Sequence, residues 1–154
     1  ALENVARSGR TIRAFVPNLD HNVAERLTAA GVTIEPAPVP LDEIAWRSGL
    51  IISHGGLGIV SFALAAGLPQ LVIALDTEKL FTGQALERLG TGRCIRVKQN
   101  NPLEIPLLTQ VILETAANEA LAARARSLAP DFVRRLEPRP EEVVADYVEE
   151  LGRN

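Results

Sequence analysis

The sequence is poor in cysteine, histidine and aromatic residues, and it lacks methionine. Its only cysteine is Cys94, which excludes an internal disulfide and a thiolate metal cluster. Two widely separated histidines argue against a histidine-based zinc site. No apolar run approaches the length of a membrane span, and the N-terminus has no signal-peptide pattern. These absences predict a protein of a reducing, cytoplasmic compartment.

The chain has no large excess of positive or negative charge. The formal net charge is −3, so nothing in it favours nucleic acid or an acidic membrane surface as a partner. Aliphatic residues are abundant, because 47% of the chain is hydrophobic while only 4% is aromatic. This composition suits an α/β or all-α core better than a β-sandwich. A length of 154 residues predicts that residues 1–154 form a single domain.

Apolar strand patterns alternate with helical patterns through the middle of the chain. This order predicts a Rossmann-like, doubly wound α/β fold, with a parallel sheet and helices on both faces. The predicted strands are Thr11–Val16, Val32–Glu35, Leu50–Ser53, Leu68–Leu75 and Arg93–Lys98. The predicted helices are Ala1–Arg7, Asn22–Ala30, Leu41–Arg47, Ile59–Ala66, Leu80–Leu89, Leu107–Ser127 and Glu141–Leu151, with Pro130 and Pro138 in a linker before the last. Since doubly wound units normally open with a strand, a helix at Ala1 predicts a fragment of a longer protein.

A glycine-rich stretch, His54–Gly58 (HGGLG), separates a predicted buried strand from a predicted helix. Ligands bind at such junctions in open α/β sheets. Free backbone N–H groups and the helix dipole favour an anion, and glycines let phosphate oxygens approach the backbone. The spacing fits neither a P-loop nor the dinucleotide fingerprint. The alternative is a tight turn in which His54 is satisfied by a backbone carbonyl.

The stretch from Val39 to Gly92 resembles the donor domain of GT-B glycosyltransferases, specifically the family 1 and macrolide-type enzymes. Three motifs carry the resemblance in an ungapped register. They are the His-Gly-Gly-x-Gly turn at His54–Gly58 with the helix end Ala63–Pro69, the acidic pair position at Glu78–Lys79, and the Leu-Gly-x-Gly helix end at Leu89–Gly92.

The resemblance implies a role for each matched position. The diphosphate of a nucleotide-sugar would bind at His54, Gly55, Gly56, Leu57, Gly58 and Ile59, the donor sugar at Glu78 and Lys79, and the base and ribose at Pro38, Val39, Leu41 and Phe62. The resemblance implies no metal and no cofactor. It places the general base in an N-terminal acceptor domain, so no catalytic residue is expected in this chain.

Several positions depart from the family pattern. Phe62 stands where a ribose-binding glutamate is usual, and Lys79 stands where glutamine is usual. Plant-type members carry Trp and Gln at the positions of Pro38 and Leu41. Lys79 could bind a sugar carboxylate or a phosphate, or it could simply pair with Glu78.

The implied function is transfer of a sugar, with inversion, from a UDP- or dTDP-type donor to a hydroxyl of a small molecule or lipid, as in natural-product glycosylation. The isolated domain would be inactive. Two alternatives remain open: a sugar-nucleotide epimerase of the same fold, and a non-catalytic glycosyltransferase partner that has lost donor binding.

Other chemically capable residues have structural interpretations. Trp46 is expected to pack against its short helix, His21 to cap or face solvent, and Cys94 to lie in a core strand. Ser53 and Ser61 flank the glycine turn without a readable catalytic triad. The basic cluster of Arg124, Arg126, Arg134, Arg135 and Arg139 indicates a solvated helical face.

Overall fold

A computed structural model describes residues 1–97, 104–135, 145 and 148–150. In these ranges strands β1–β5 span Ile12–Ala14, Val32–Ile34, Ile51–Ser53, Gln70–Ala74 and Gly92–Arg96. Helices α1–α7 span Leu2–Arg7, His21–Ala29, Leu41–Arg47, Leu57–Ala65, Thr77–Leu89, Ile105–Ala116 and Glu119–Arg135. No helix in the described ranges is both long and apolar enough to cross a membrane.

All strand pairs in the described residues are parallel, which confirms the α/β class. Strand β1 pairs with β2, with Ile12 opposite Val32. Strands β3, β4 and β5 form a second sheet in that order, with Ile51 opposite Gln70 and Gln70 opposite Gly92. Within the described ranges, no ladder joins the two-stranded sheet to the three-stranded sheet.

Strand β4 is the centre of the core. Its successive side chains point to opposite faces of the sheet. Val72 and Ala74 pack with residues of α4 and α5, whereas Leu71 packs with residues of α1 and α6. Burial on both faces explains why this strand shows no alternation of polar and apolar residues. Helices therefore cover both sides of the three-stranded sheet, as the doubly wound prediction required.

The helix expected over Leu107–Ser127 is two helices, so this prediction is wrong. Helix α6 begins earlier, at Ile105, and ends at Ala116. Helix α7 begins at Glu119, and the Asn118 side chain accepts a hydrogen bond from the Leu121 N–H at 3.1 Å. Asparagine favours helix starts because its side chain satisfies a first-turn donor, and this cap divides the apolar pattern in two.

Helix α7 lies across the ends of α4 and α5. Arg126 Cα is 3.1 Å from the position that a Cβ on Gly67 would take, just beyond the end of α4. Arg124 Nε donates to the carbonyl of Leu89, the last residue of α5, at 3.1 Å. Glycine suits this position because its φ of +68° disfavours other residues and because a Cβ would crowd the backbone of α7.

Pro130 was expected in a linker, but it lies inside α7, which corrects that prediction. Proline costs a helix one backbone donor. The packing of α7 on α4, with Ala125 buried and Phe132 against the core, offsets this loss. Pro138 lies outside the described residues, as does most of the helix predicted at Glu141–Leu151.

Two helices begin earlier than their apolar patterns indicated. Helix α4 begins at Leu57 rather than Ile59, and α5 begins at Thr77 rather than Leu80. Consequently Leu57 and Gly58 belong to the first turn of α4, and Glu78 and Lys79 belong to the first turn of α5. These shifts define the geometry of the candidate site.

Candidate functional site

The glycine turn, residues 54–59, follows the carboxyl end of β3, and its last three residues form the first turn of α4. Ser53 Oγ accepts a hydrogen bond from the Gly55 N–H at 3.1 Å, which holds the chain in a tight bend. Gly55 has φ +90°, in the region that favours glycine. A Cβ at this residue would also lie 2.8 Å from Val72 Cγ1 of the neighbouring strand. Gly55 is therefore needed for the shape of the turn.

Gly58 has a different role from Gly55. It is exposed, its backbone is helical, and a Cβ placed on it would meet no atom of the described residues within 4 Å. Nothing in the fold requires glycine at this position. The space in front of it is open, as a phosphate site at the start of a helix requires.

Helix α4 offers uncapped donors at its first turn. Its N-cap is Gly56, which has no side chain to accept a hydrogen bond. The Val60 N–H bonds to the Gly56 carbonyl at 3.1 Å, so the N–H groups before it precede the regular helical bonding. Helix α5 differs, because the Asp76 side chain accepts from the Lys79 N–H at 2.9 Å. An anion is therefore favoured at the start of α4 rather than α5.

His54 lies beside this first turn. Its side chain is exposed, and Nε2 is 3.1 Å from the position that a Cβ on Gly56 would take. Among the described residues no hydrogen bond occupies the imidazole. The alternative of a histidine satisfied by a backbone carbonyl is therefore not what the structure has. The ring is available to donate to an anion held by the α4 N–H groups.

Glu78 and Lys79 project from the first turn of α5, next to the glycine turn. Lys79 Nζ is 2.7 Å from Glu78 Oε1, and this hydrogen bond raises the pKa of Lys79. The Lys79 Cβ lies 3.6 Å from the position of a Cβ on Gly55. The structure thus contains the expected ion pair, and it places the Lys79 Cβ beside the glycine turn. Asp76, the cap of α5, is missing from the sequence-based site, although an Asp just before a helix is a recognisable signal.

The residues expected at the base and ribose lie on two elements. Pro38, Val39 and Leu41 belong to the β2–α3 connection and the start of α3, with Pro38 and Leu41 exposed and Val39 half-buried. Phe62 is half-buried in the second turn of α4. Helix α3 lies beside α4, because Ile44 packs on a core cluster that includes Ala63.

A salt-bridge cluster that the sequence did not indicate joins β1 to the β2–α3 connection and to α3. Arg13 Nε and Nη1 each lie 2.6 Å from a carboxylate oxygen, of Glu35 and Glu43 respectively. These hydrogen bonds raise the pKa of Arg13 further above its ordinary value. The cluster connects the start of α3 to the two-stranded sheet.

Trp46 does not pack against its helix as expected, because 87% of its surface is exposed. Ile44, two residues earlier on the same helix, faces the core. Because two residues turn a helix by about 200°, Trp46 points away from the core. The other interpretations fit the structure. His21 is exposed, 3.2 Å from Glu25 and next to the capping Asp20, and Cys94 is a half-buried residue of β5.

The structure describes the side chains of only some arginines of the basic cluster late in the chain. Arg124, Arg126 and Arg134 are exposed on α7, as a solvated face predicts. Arg135 ends α7, but the environment of its side chain and all of Arg139 lie outside the described part.

An apolar cavity of about 370 Å³ lies apart from the glycine turn. It is lined mainly by aliphatic side chains of α1, α2, β3 and α6, including Leu2, Leu27, Ile52 and Leu108. Because this lining offers no cluster of donors, the cavity is not suited to a phosphate. The glycine turn remains the candidate site.

Comparisons of this chain with a family model and with individual proteins agree on one family. Residues 10–151 match the family described as "Erythromycin biosynthesis protein CIII-like, C-terminal domain". The chain is 30% identical over 107 residues to erythronolide mycarosyltransferase of Saccharopolyspora erythraea, covering 68% of this chain and 26% of that protein. It is also 30% identical over 95 residues to a PGL/p-HBAD biosynthesis glycosyltransferase of Mycobacterium tuberculosis, covering 61% of this chain and 22% of the relative.

Among solved structures, glycosyltransferase VinC in complex with DTDP superimposes with a TM-score of 0.74 at 18% identity. The match covers 99% of this chain and 37% of that one. At this identity the match establishes a shared fold. The chain spans roughly a fifth to just over a third of the length of these proteins.

Proposed function

This chain belongs to the family of erythromycin biosynthesis protein CIII-like C-terminal domains, and we propose that it is the donor-binding half of a GT-B glycosyltransferase. The observation that carries the proposal is the uncapped first turn of α4, open in front of Gly58 and flanked by the imidazole of His54. Such a turn suits the diphosphate of a nucleotide-sugar. The family supports the class of ligand, and the geometry of the first turn of α4 supports an anion site there.

The proposed role of the site depends on where negative charge develops during sugar transfer. Breaking the bond between the sugar and the phosphate places negative charge on the departing nucleoside diphosphate. Fixed N–H groups of Leu57, Gly58 and Ile59 stabilise that charge as it grows, and His54 adds a side-chain donor. These groups act by hydrogen bonding alone. Attack by an acceptor from the opposite face of the sugar inverts the anomeric centre.

The acceptor hydroxyl and the general base belong to the other half of the whole enzyme in this proposal. The relative from Saccharopolyspora is by name an erythronolide mycarosyltransferase, which supports a small-molecule acceptor of natural-product type. Exposed apolar side chains near the candidate site, Leu57 and Leu75, suit an apolar acceptor. The isolated chain binds donor but transfers no sugar, because it lacks the wall that orients the acceptor and excludes water.

Titration calorimetry with uridine, thymidine and guanosine diphosphates tests the proposal. We expect one pyrimidine diphosphate to bind and His54→Ala to weaken it by about 1–3 kcal/mol, roughly 5- to 150-fold. His21→Ala is the matched control, since the second histidine is exposed on α2 and belongs to no candidate site. Absence of binding by all three nucleotides would support the non-catalytic alternative. Equal effects of the two substitutions would remove His54 from the site.

A further inference from the structure

We propose that Arg13 is a positioning residue for the nucleoside end of the candidate site, because its guanidinium holds both ends of the proline-rich connection, residues 36–40. The inference rests on the proposed function, in which this connection would face the base and ribose of the donor. Arg13 lies on β1 and touches no ligand in this proposal. It acts through the carboxylates that it binds.

The proline-rich connection leads from the end of β2 to the start of α3. Three of its five residues are prolines, which have no backbone N–H to donate. At its two ends, the Glu35 N–H donates to the Ala14 carbonyl at 2.8 Å, and the Ile44 N–H donates to the Pro40 carbonyl at 3.2 Å. The course of the connection therefore depends strongly on how those ends are held.

Arg13 binds one carboxylate at each end of this connection. Its Nε lies 2.6 Å from Oε1 of Glu35, the residue just before the connection. Its Nη1 lies 2.6 Å from Oε1 of Glu43, in the first turn of α3. A guanidinium is planar and presents its donors in a fixed fork. The two bonds therefore fix the start of α3 relative to the end of β2.

The register of the two-stranded sheet explains why Arg13 and Glu35 meet. Arg13 is opposite Thr33, and side chains two residues apart on a strand share a face. Thr33 and Glu35 therefore point to the same side as Arg13. This is the outer side of the sheet, because Val32 points the other way and is buried. Helix α3 reaches this side through Glu43.

The cluster is partly shielded from water. The exposed fraction of the side chain is 33% for Arg13, 16% for Glu35 and 42% for Glu43. An isolated exposed pair contributes little to stability, partly because two side chains must be ordered for one contact. Here one ordered arginine serves two carboxylates. Its contribution is expected mainly in the geometry of the connection rather than in the stability of the whole chain.

A connection that is already ordered loses less conformational entropy when a ligand binds it, so affinity rises. Only the base and ribose would gain from this effect. The diphosphate would be held by the first turn of α4, which does not depend on Arg13. Arg13 is therefore expected to raise the affinity for a nucleoside diphosphate without raising the affinity for its phosphates alone.

Titration calorimetry of the whole chain with uridine diphosphate, thymidine diphosphate and inorganic pyrophosphate tests this role. Arg13→Met should weaken the better-bound nucleotide about 3- to 10-fold, because the ends of the connection are released. The affinity for pyrophosphate should change by less than about twofold. Arg26→Met is the matched control, since Arg26 also lies 2.6 Å from a carboxylate, that of Glu3 on α1, but in the last turn of α2. It should change neither affinity.

Glu43→Ala distinguishes positioning from a simple effect of charge. Removing a carboxylate makes the chain less negative, so electrostatics alone would strengthen the binding of an anion. The proposed role predicts the opposite, about 2- to 5-fold weaker binding of the nucleotide, because the α3 end of the connection is released. Arg13→Met combined with Glu43→Ala should bind no more weakly than Arg13→Met alone, since both changes break the same bond.

The outcomes separate this inference from the proposed function. If Arg13→Met binds the nucleotide as tightly as the parent chain, the inference is overturned and the proposed function stands. Equal losses for the nucleotide and for pyrophosphate would also overturn it, because Arg13 would then serve the phosphates or the whole fold. Tighter nucleotide binding by Glu43→Ala would contradict positioning in favour of charge. Absence of binding by every nucleotide would overturn both proposals.

Discussion

Gly58 provides a way to damage the proposed diphosphate site while sparing the fold. We consider Gly58→Ala, which adds one methyl group at the second residue of α4. The added Cβ meets no atom within 4 Å, and the backbone is helical. Alanine is therefore accommodated without strain, and it favours a helix over glycine by up to about 1 kcal/mol.

The effect on binding has the opposite sign. Side chains of a helix tilt toward its N-terminus, so the methyl group projects toward the space in which an anion would sit. A phosphate oxygen displaced from the first-turn N–H groups loses at least one charge-assisted hydrogen bond, worth about 1.5–3 kcal/mol. The dissociation constant for nucleoside diphosphate should therefore rise roughly 10- to 150-fold. The melting temperature should stay level or rise by about 1–4 °C.

Two measurements on the same samples check this prediction: titration calorimetry for affinity and differential scanning calorimetry for stability. Gly49→Ala is the control, because a Cβ at Gly49 also meets no atom within 4 Å, but this residue precedes β3 at the other end of the strand. It should leave the affinity unchanged. A Gly58→Ala chain that melts normally and binds nucleoside diphosphate as well as the parent would refute the placement of the phosphates at α4.

Two further predictions concern the contact between α5 and β5. Gly83→Ala should destabilise the chain by about 1–3 kcal/mol in urea unfolding, because a Cβ there would lie 2.2 Å from Cys94 Sγ. Adding Cys94→Ala should recover part of the loss, and strictly additive effects would contradict the steric explanation. Burial, aided by the Glu87 carboxylate, raises the pKa of the Cys94 thiol, so iodoacetamide should modify it at a higher pH than in the unfolded chain. The unfolded chain releases this proton first, so stability should fall as pH rises through the thiol range; a pH-independent free energy of unfolding there would contradict this.

The parts of the site that sequence reasoning placed correctly depend on local signals. A buried strand, a run of glycines and a following helix put His54–Gly58 at the carboxyl edge of the sheet, and β3 and α4 have that arrangement. Helix α3 has the predicted bounds, Leu41–Arg47, because Pro40 limits it at the start and the apolar pattern ends before Ser48 and Gly49. Such features need no knowledge of distant residues.

The features that sequence reasoning missed depend on which partner a side chain or backbone group finds in the folded chain. The break between α6 and α7 comes from the cap at Asn118, which an Ala- and Leu-rich pattern conceals. Pro130 remains helical because packing of α7 on distant parts of the chain compensates for one missing donor. The close approach of Lys79 to Gly55 joins the first turn of α5 to the glycine turn before α4, so spacing along the chain could not reveal it.

The crossing of α7 over the far ends of α4 and α5 has a consequence for the energetics of the proposed donor binding. Both helices are held at the end opposite the proposed phosphate site, α4 by the close approach at Gly67 and α5 by the hydrogen bond from Arg124 to Leu89. The N–H groups of α4 therefore hold their directions before any ligand arrives. A nucleotide bound at the proposed site would therefore cost little conformational entropy, and more of its hydrogen-bond energy would be expressed as affinity.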